Sequence, residues 1–257
     1  MQKKYFFFDI DGTLTDRVTN EVIPSAKRTL DQLQANGHFV AIATGRAHYK
    51  ARPIMEALGL HNMVCAGGGA IVIEDQLVGN RPLDLEKAKQ IAKEAEQLGL
   101  GVLFALSDSQ EVVSKDDRFV TQVGPRQEPT TYRIDDTLDI EQLETIYKLY
   151  IALPKTSQQI LTTKDVLPSL YYVPEYLMYQ IDEKDQGIRQ LMAQLNAPLA
   201  DVVVFGDDTN DLVMFDPDWF SIAMGNAVDE LKERADFVTK ANTEDGIEYA
   251  CRQYGWI

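Results

Sequence analysis

Tyr5-Phe6-Phe7-Phe8-Asp9-Ile10-Asp11-Gly12-Thr13-Leu14-Thr15-Asp16 decides the fold, because an unbroken apolar run gives way there to two carboxylates, a glycine and a hydroxyl. Consecutive aromatic residues suit a parallel strand covered on both faces, where no side is left for water. The change to Asp-x-Asp-Gly-Thr marks where that strand leaves the sheet, and in open α/β sheets ligands bind at that edge. Two acids one residue apart inside a strand point to opposite faces. At a strand-to-loop turn both can address one site, Asp9 by its side chain and Asp11 by side chain or carbonyl. The other reading of these residues is a plain turn closed by Asp and Gly.

The pattern recurs along the chain. A helical stretch over Pro24–Leu33 stops near Asn36-Gly37, and the buried strand Phe39–Ala43 then ends in Thr44-Gly45-Arg46 before a further helix reaches Leu58-Gly59. Met63-Val64-Cys65 runs through Ala66-Gly67-Gly68-Gly69-Ala70 into Ile71–Glu74, which reads as a strand, a turn and a hairpin strand; the glycines form either a tight turn or a phosphate cradle. Lys184–Leu195 is an amphipathic helix, and the strand Asp201–Phe205 ends in Gly206-Asp207-Asp208-Thr209-Asn210-Asp211. A short helix over Leu212–Phe215, a strand and turn over Phe220–Asn226, a helix over Ala227–Arg234, a strand over Phe237–Thr239 and a helix over Glu244–Tyr254 complete the alternation of a parallel sheet.

Residues 81–181 break this rhythm. Helical patterns at Leu83–Leu98, Ile140–Tyr147 and Ser157–Val166 mix with short strand-like runs at Val102–Leu106, Glu111–Val113, Leu149–Leu153, Tyr171–Val173 and Tyr176–Gln180, around a polar, proline-containing stretch at Thr121–Arg133. Alternation across Tyr176–Ile181 predicts one tyrosine-bearing face. The expected architecture is therefore α/β: a Rossmann-like parallel-sheet core over 1–80 and 182–257, with an inserted α+β cap over 81–181.

A chain of 257 residues is long enough for either one domain or two, so length alone does not choose. The formal net charge of −15, from 40 acids against 25 bases, argues against a nucleic-acid or anionic-membrane partner, since both require a basic stripe. Asp9 and Asp11 interrupt the first apolar run too early for a signal peptide, and no window approaches a membrane span; a cytoplasmic protein is expected. Cys65 and Cys251 are too few for a disulfide framework and read as core thiols, while His38, His48 and His61 read as structural or solvated.

In a parallel sheet the C-terminal ends of all strands share one edge, so Asp9, Asp11, Thr44, Gly45 and Asp207 to Asp211 can converge although they are far apart in sequence. Three or more carboxylates at one edge repel each other unless a divalent cation holds them, and oxygen donors without Cys or His favour Mg²⁺ over zinc. A phosphate is then the expected substrate group, met by the Thr44 hydroxyl, the Gly45 amide at a helix start and a lysine.

These residues resemble the haloacid dehalogenase superfamily, and within it the Cof-type phosphatases with a large α/β cap. Asp9-Ile10-Asp11-Gly12-Thr13 is similar to that family's first motif, Thr44-Gly45-Arg46 to its second, Lys184 with Gly187 to its third and Gly206 to Asp211 to its fourth. Met224-Gly225-Asn226-Ala227 and Asn242-Thr243-Glu244-Asp245-Gly246 also look like the subfamily's C-terminal half. The resemblance implies that Asp9 is a nucleophile forming an aspartyl-phosphate and that Asp11 is the general acid and base. It further implies that Gly12, Thr44, Gly45, Lys184 and Asn210 hold the phosphate, and that Asp9, Asp11 through its carbonyl, Asp207 and Asp211 stand at or just behind a Mg²⁺ ion. The substrate it implies is a small phosphorylated metabolite, a sugar phosphate or a phosphorylated cofactor, handled by a monomer or weak homodimer. A phosphosugar mutase and a phosphorylatable signalling module that does not turn over are the alternatives. Two positions depart from the pattern: glycine does not directly follow Lys184, leaving Lys155 and Lys164 as fallbacks, and Asp208 stands where the family often has a small residue, where it reads as a helix cap. Arg46 either reaches the substrate or forms a surface ion pair.

Overall fold

The aromatic run forms β1 (Tyr5–Phe8), and the chain continues through α1 (Pro24–Ala35), β2 (Phe39–Ala43), α2 (His48–Ala57), β3 (Met63–Cys65), β4 (Ala70–Ile73) and β5 (Gln76–Asn80). An insert follows with α3 (Leu85–Gln97), β6 (Val102–Ala105), β7 (Glu111–Ser114), α4 (Arg118–Val123), β8 (Thr131–Ile134), β9 (Lys148–Ile151), β10 (Ser169–Val173) and β11 (Tyr176–Tyr179). The chain returns with α5 (Lys184–Gln194), β12 (Val202–Gly206), β13 (Phe220–Ala223), α6 (Asp229–Arg234), β14 (Phe237–Val238) and α7 (Gly246–Gln253). This computed structural model describes residues 2–257. It divides into two units, Met1–Asn80 with Asp182–Ile257, and Arg81–Ile181.

In the first unit the sheet order is β14-β13-β12-β1-β2-β3-β4-β5, parallel from β14 to β3 and antiparallel from β3 to β5. Strand β1 lies in the middle because its side chains are apolar on both faces. Phe6 and Phe8 pack into the layer of Leu30 and Leu33 from α1, Met55 from α2 and Ile247 and Ala250 from α7. Phe7 packs into the opposite layer with Leu191 and Met192 from α5 and Leu231 from α6. Each buried phenylalanine contributes about 1.5–3 kcal/mol relative to exposure, so this strand anchors the sheet from both sides. His38 is buried, and its Nδ1 accepts from the Lys4 amide at 3.0 Å. Cys65 and Cys251 form no disulfide among the described residues and are buried in the layer of Phe6.

The second unit is a six-stranded sheet in the order β10-β11-β9-β6-β7-β8, antiparallel except where β7 meets β8. Helix α3 covers one face through Ala88, Ile91, Ala92 and Ala95, and Phe119 of α4 packs on the other. The local readings fail most often here. Ile140–Tyr147 contains only the 3-10 turn Ile140–Gln142: Ile140, Leu143 and Ile146 recur at a helix-like spacing of three, but Leu143 is extended. The polar stretch Thr121–Arg133, left without an element in the sequence reading, carries the end of α4 and the start of β8. Tyr176 and Tyr179 fall on opposite faces, since an odd spacing in a strand changes sides, so there is no single tyrosine-bearing face.

Ser157–Val166 is likewise not a helix but a loop closed by the 3-10 turn Lys164–Val166. The Glu94 carboxylate on α3 takes its backbone away from helical bonding. It accepts from the Thr162 amide and hydroxyl, both at 2.7 Å, and from the Thr163 amide and hydroxyl at 2.8 and 2.6 Å. Burial acts to raise the Glu94 carboxyl, but these bonds to its charged form outweigh that and bring it down to about 2. A carboxyl depressed on folding stabilises fully above the ordinary carboxylate range of about 4.3 and loses its contribution as pH falls from there toward the folded value. Glu94→Gln is therefore expected to speed amide exchange at Thr162 and Thr163 at neutral pH while α3 keeps its protection. Unchanged exchange in that variant would show that the loop is held by something other than the carboxylate.

Candidate active site

Three strands of the first unit deliver candidate site residues. Asp9 follows β1, and its amide still donates to the Phe205 carbonyl of β12 at 3.0 Å, so the last bond of the ladder fixes the carboxylate's origin. Asp207 follows β12 and Thr44 follows β2; the Thr44 amide donates to the Val64 carbonyl at 2.9 Å. Asp9, Thr44 and Asp207 are all buried, as the shared strand edge requires.

Lys184, the first residue of α5, has no solvent exposure. Its Nζ lies 2.9 Å from Asp9 Oδ1 and 2.6 Å from Asp211 Oδ1. Burial disfavours the ammonium, but the charges of Asp211 and Asp9 outweigh it and raise the lysine's pKa, so Lys184 is charged. Burial first, and Asp211 second, push the Asp9 carboxyl well above its ordinary range, with Lys184 pulling it back. Asp211 is fixed on its other oxygen: Oδ2 accepts from the amides of Asp207 at 2.9 Å and Asp208 at 3.2 Å. It forms a capping box with Asp208 at the 3-10 turn Thr209–Met214, so Asp208 is the helix cap its position suggested. Lys164, a fallback lysine, lies over the Tyr171 ring in the insert, 5.5 Å from its centroid.

The triple glycine serves this lysine. Gly68 has a φ of +97°, and a Cβ there would stand 2.0 Å from the Glu183 carbonyl oxygen. A Cβ on Gly187 would stand 2.8 Å from the Gly68 Cα. The two glycines thus let the start of α5 press against the 66–69 turn, where the Glu183 amide donates to the Gly67 carbonyl at 2.7 Å. This is the tight-turn reading, and it explains why the glycine of the lysine motif comes at Gly187, one turn into the helix.

Asp11 is turned differently. Its carboxylate forms a two-pronged ion pair with Arg46, Nε to Oδ2 at 3.0 Å and Nη2 to Oδ1. Of the two readings of Arg46 the ion pair is the one formed, within the motif loops and with 20% of the arginine side chain exposed. Asn210 sits partly buried in the 3-10 turn, and Gly45 begins the loop that leads to α2.

Several contributors escaped the sequence reading. Arg17 reaches Asp207 Oδ2 through Nε at 3.1 Å and Nη2 at 2.7 Å. Thr13 donates to Asp207 Oδ1 at 3.0 Å, and Asn226 Nδ2 donates to the Gly12 carbonyl at 2.9 Å. Asn242 Nδ2 donates to the Thr15 carbonyl at 2.9 Å, and its amide to Asn226 Oδ1 at 2.8 Å. Both asparagines lie in C-terminal stretches that stood out in the sequence, but only as a likeness without a role. Arg17 had no motif around it. Gly12, at φ +89°, admits the contact, since a Cβ there would stand 2.1 Å from Asp207 Oδ2.

Among the described residues, Asp9, Asp207 and Asp211 form the group of acids able to hold a metal ion, with ligand oxygens all within 4.8 Å of one another. The Asp11 carboxylate is outside that group. The donor set is all carboxylate and buried, which suits a hard cation such as Mg²⁺. Burial first, then the charge of Asp211, push Asp207 up to about 7 against Arg17 and Thr13.

The sequence profile of haloacid dehalogenase-like hydrolases matches residues 6–250. The chain is 35% identical to the putative phosphatase YkrA of Bacillus subtilis (strain 168) over 270 residues, covering 100% of both. It is 23% identical to the pyridoxal phosphate phosphatase YbhA of Escherichia coli (strain K12), covering 96% of this chain and 97% of that one. A crystal structure of a hypothetical protein from Geobacillus kaustophilus HTA426 superposes with a TM-score of 0.83 at 27% identity, covering 100% of each. The chain belongs to the haloacid dehalogenase-like hydrolases. Within them it is a phosphatase with the Cof-type arrangement. Among the described residues no helix is long and apolar enough to cross a membrane.

Gly68→Ala is expected to lower the melting temperature and to weaken the Lys184 contacts, because the left-handed backbone costs an alanine about 1 kcal/mol before the clash with Glu183 is counted. Thermal unfolding with amide exchange at Glu183 and Lys184 checks it; wild-type values for both would show that α5 can retreat at no cost.

Proposed function

We propose that the protein is a Mg²⁺-dependent phosphomonoesterase that hydrolyses a small phosphorylated metabolite through an aspartyl-phosphate on Asp9. The observation that carries this reading is the buried Asp9–Lys184–Asp211 arrangement at the edge where Thr44 and Asp207 also end their strands. Lys184 opposes the burial that raises the Asp9 carboxyl and so favours its charged, nucleophilic form, and it offers an ammonium to the phosphate oxygens. The Thr44 hydroxyl, the Gly45 amide, Gly12 and Asn210 complete the phosphate cradle. Asp9, the Asp11 carbonyl and Asp207 would hold the Mg²⁺, with Asp211 fixing Lys184 and lending at most Oδ1. When bound, the ion neutralises the approach of one anion to another. Asp11 protonates the leaving oxygen and then deprotonates the water that attacks Asp9's acyl phosphate, a role worth about 10²- to 10⁴-fold. Arg46 aims that carboxylate. We assign residues 81–181 to the choice of leaving group, and the pyridoxal phosphate phosphatase among the relatives supports phosphorylated cofactors beside sugar phosphates as the class to screen.

The test is phosphate release from a panel of sugar phosphates, phosphorylated cofactors and a generic aryl phosphate, with and without Mg²⁺. Activity that depends on Mg²⁺ and yields free phosphate rather than an isomerised sugar phosphate is the expected result; a folded protein inert on every ester overturns the proposal. Asp9→Asn is expected to abolish turnover and acid-stable labelling of the enzyme by substrate phosphate, with near-native circular dichroism. Retained turnover would remove Asp9 from the nucleophile's role. Asp11→Asn is expected to lose about 10²- to 10⁴-fold in kcat with esters of poor leaving groups and less with an aryl phosphate. An equal loss on both would argue against proton transfer to the leaving oxygen.

A further inference from the structure

Arg17 is left over from the scheme above. Its side chain is 48% exposed, on the loop that follows the first motif, yet its guanidinium reaches inward to an Asp207 side chain that is 1% exposed. Nε and Nη2 both address the same oxygen, Oδ2, at 3.1 and 2.7 Å, while Nη2 also meets Asp208 Oδ2 at 2.7 Å. This is not the parallel fork in which each nitrogen takes its own oxygen, so the Asp207 contact is the weaker form of an arginine–carboxylate pair. Asp207 Oδ1 is held by Thr13 at 3.0 Å, and Oδ2 also lies 3.4 Å from Asn226 Nδ2. A cation at the Asp9, Asp207 and Asp211 cluster must therefore share a carboxylate whose outer oxygen already carries a positive partner.

We infer that Arg17 is a tethered cation that competes with the divalent metal for Asp207. Metal binding then displaces the guanidinium from Oδ2 onto Asp208. Three features make this exchange possible within one loop. Asp208 Oδ1 is committed to the Thr209 amide at 2.7 Å, but Oδ2 faces Arg17 and retains it after release. The Asp208 side chain is 33% exposed, so the released pair relaxes into solvent without burying an unpaired charge. The Arg17 backbone lies in a loop pinned by Asp16, whose Oδ1 accepts from the amides of Val18 and Thr19 at 2.7 and 2.8 Å, so the side chain can swing while the loop stays anchored. The arginine lowers metal affinity and occupies the place of a positive charge beside Asp207 whenever metal is scarce. This inference rests on the metal-site reading of the proposed function.

Binding of Mn²⁺ as the probe, followed by the electron paramagnetic resonance of free ion, separates the two. Arg17→Met is expected to bind Mn²⁺ about 10-fold more tightly than the wild type, and Arg17→Lys, which keeps the charge, to stay near wild type. In the wild-type protein the Arg17 Nε–H resonance is expected to shift and to exchange faster on adding Mg²⁺, as the hydrogen bond to Asp207 is lost. Unchanged or weaker binding in Arg17→Met, or an Nε–H signal indifferent to Mg²⁺, overturns the competition. Asp207→Asn distinguishes the failures. If it abolishes Mn²⁺ binding while Arg17→Met changes nothing, the metal site stands and only the arginine's role falls; if it binds Mn²⁺ like wild type, both fall together.

Discussion

Lys184 carries a positive charge at a point with no access to water, and the rest of the first unit is arranged to hold two carboxylates against it. Taking an ammonium out of water costs several kcal/mol, and its attraction to a partner offsets this only when geometry is good and the remaining lone pairs are used. Each partner is therefore fixed from a separate element. Asp9 is the last residue bonded into the β1–β12 ladder, and Asp211 is locked by two amides in a capping box. Lys184 is set by the Glu183–Gly67 bond at the start of its helix. The three anchors come from sequence regions that only a folded sheet brings together, so the site is ordered by the same contacts that stabilise the core. Preorganisation of this kind leaves little rearrangement for the reacting groups themselves.

The charged groups form a gradient from floor to rim. Lys184, Asp9, Asp211 and Asp207 are all buried, whereas Asp11 with Arg46 and Arg17 with Asp208 are partly exposed. Ion pairs in water are weak and readily exchanged, whereas those in the interior are strong once formed and costly to break. The floor is thus built to stay fixed through a reaction cycle, and the rim to exchange partners. Asp11, whose proposed role requires gaining and losing a proton, sits on the side that can adjust.

Sequence alone reached the floor better than the rim. Asp9, Thr44 and Asp207 could be located because a fully buried parallel strand is a continuous apolar run, and its end is marked by the first polar residues. Lys184 was placed by resemblance, and geometry now joins it to Asp9 and Asp211. Arg17 was not legible: its partner lies 190 residues away, and nothing local distinguishes an arginine in a polar loop that turns inward from one that does not. The triple glycine left two readings open because its cause, the close approach of Glu183, is a tertiary contact. In the insert, Ile140, Leu143 and Ile146 mimicked helical spacing although an extended segment delivers them to the core one by one, and Ser157–Val166 lost its helical pattern to a glutamate on another element. Period alone does not separate these cases when tertiary hydrogen bonds claim the backbone.

The contact between Gly68 and Glu183 also bears on how such a chain can change over time. Residues 182–184 are where the polypeptide re-enters the first unit, and their path is dictated by a turn that tolerates no side chain. A recombination event or a deliberate chimera could exchange residues 81–181 as a cassette provided that the splice leaves this junction intact. The boundary between the two units thus adjoins a point that admits no side chain, and a graft moved only a few residues downstream would carry away the lysine's seat with the borrowed segment.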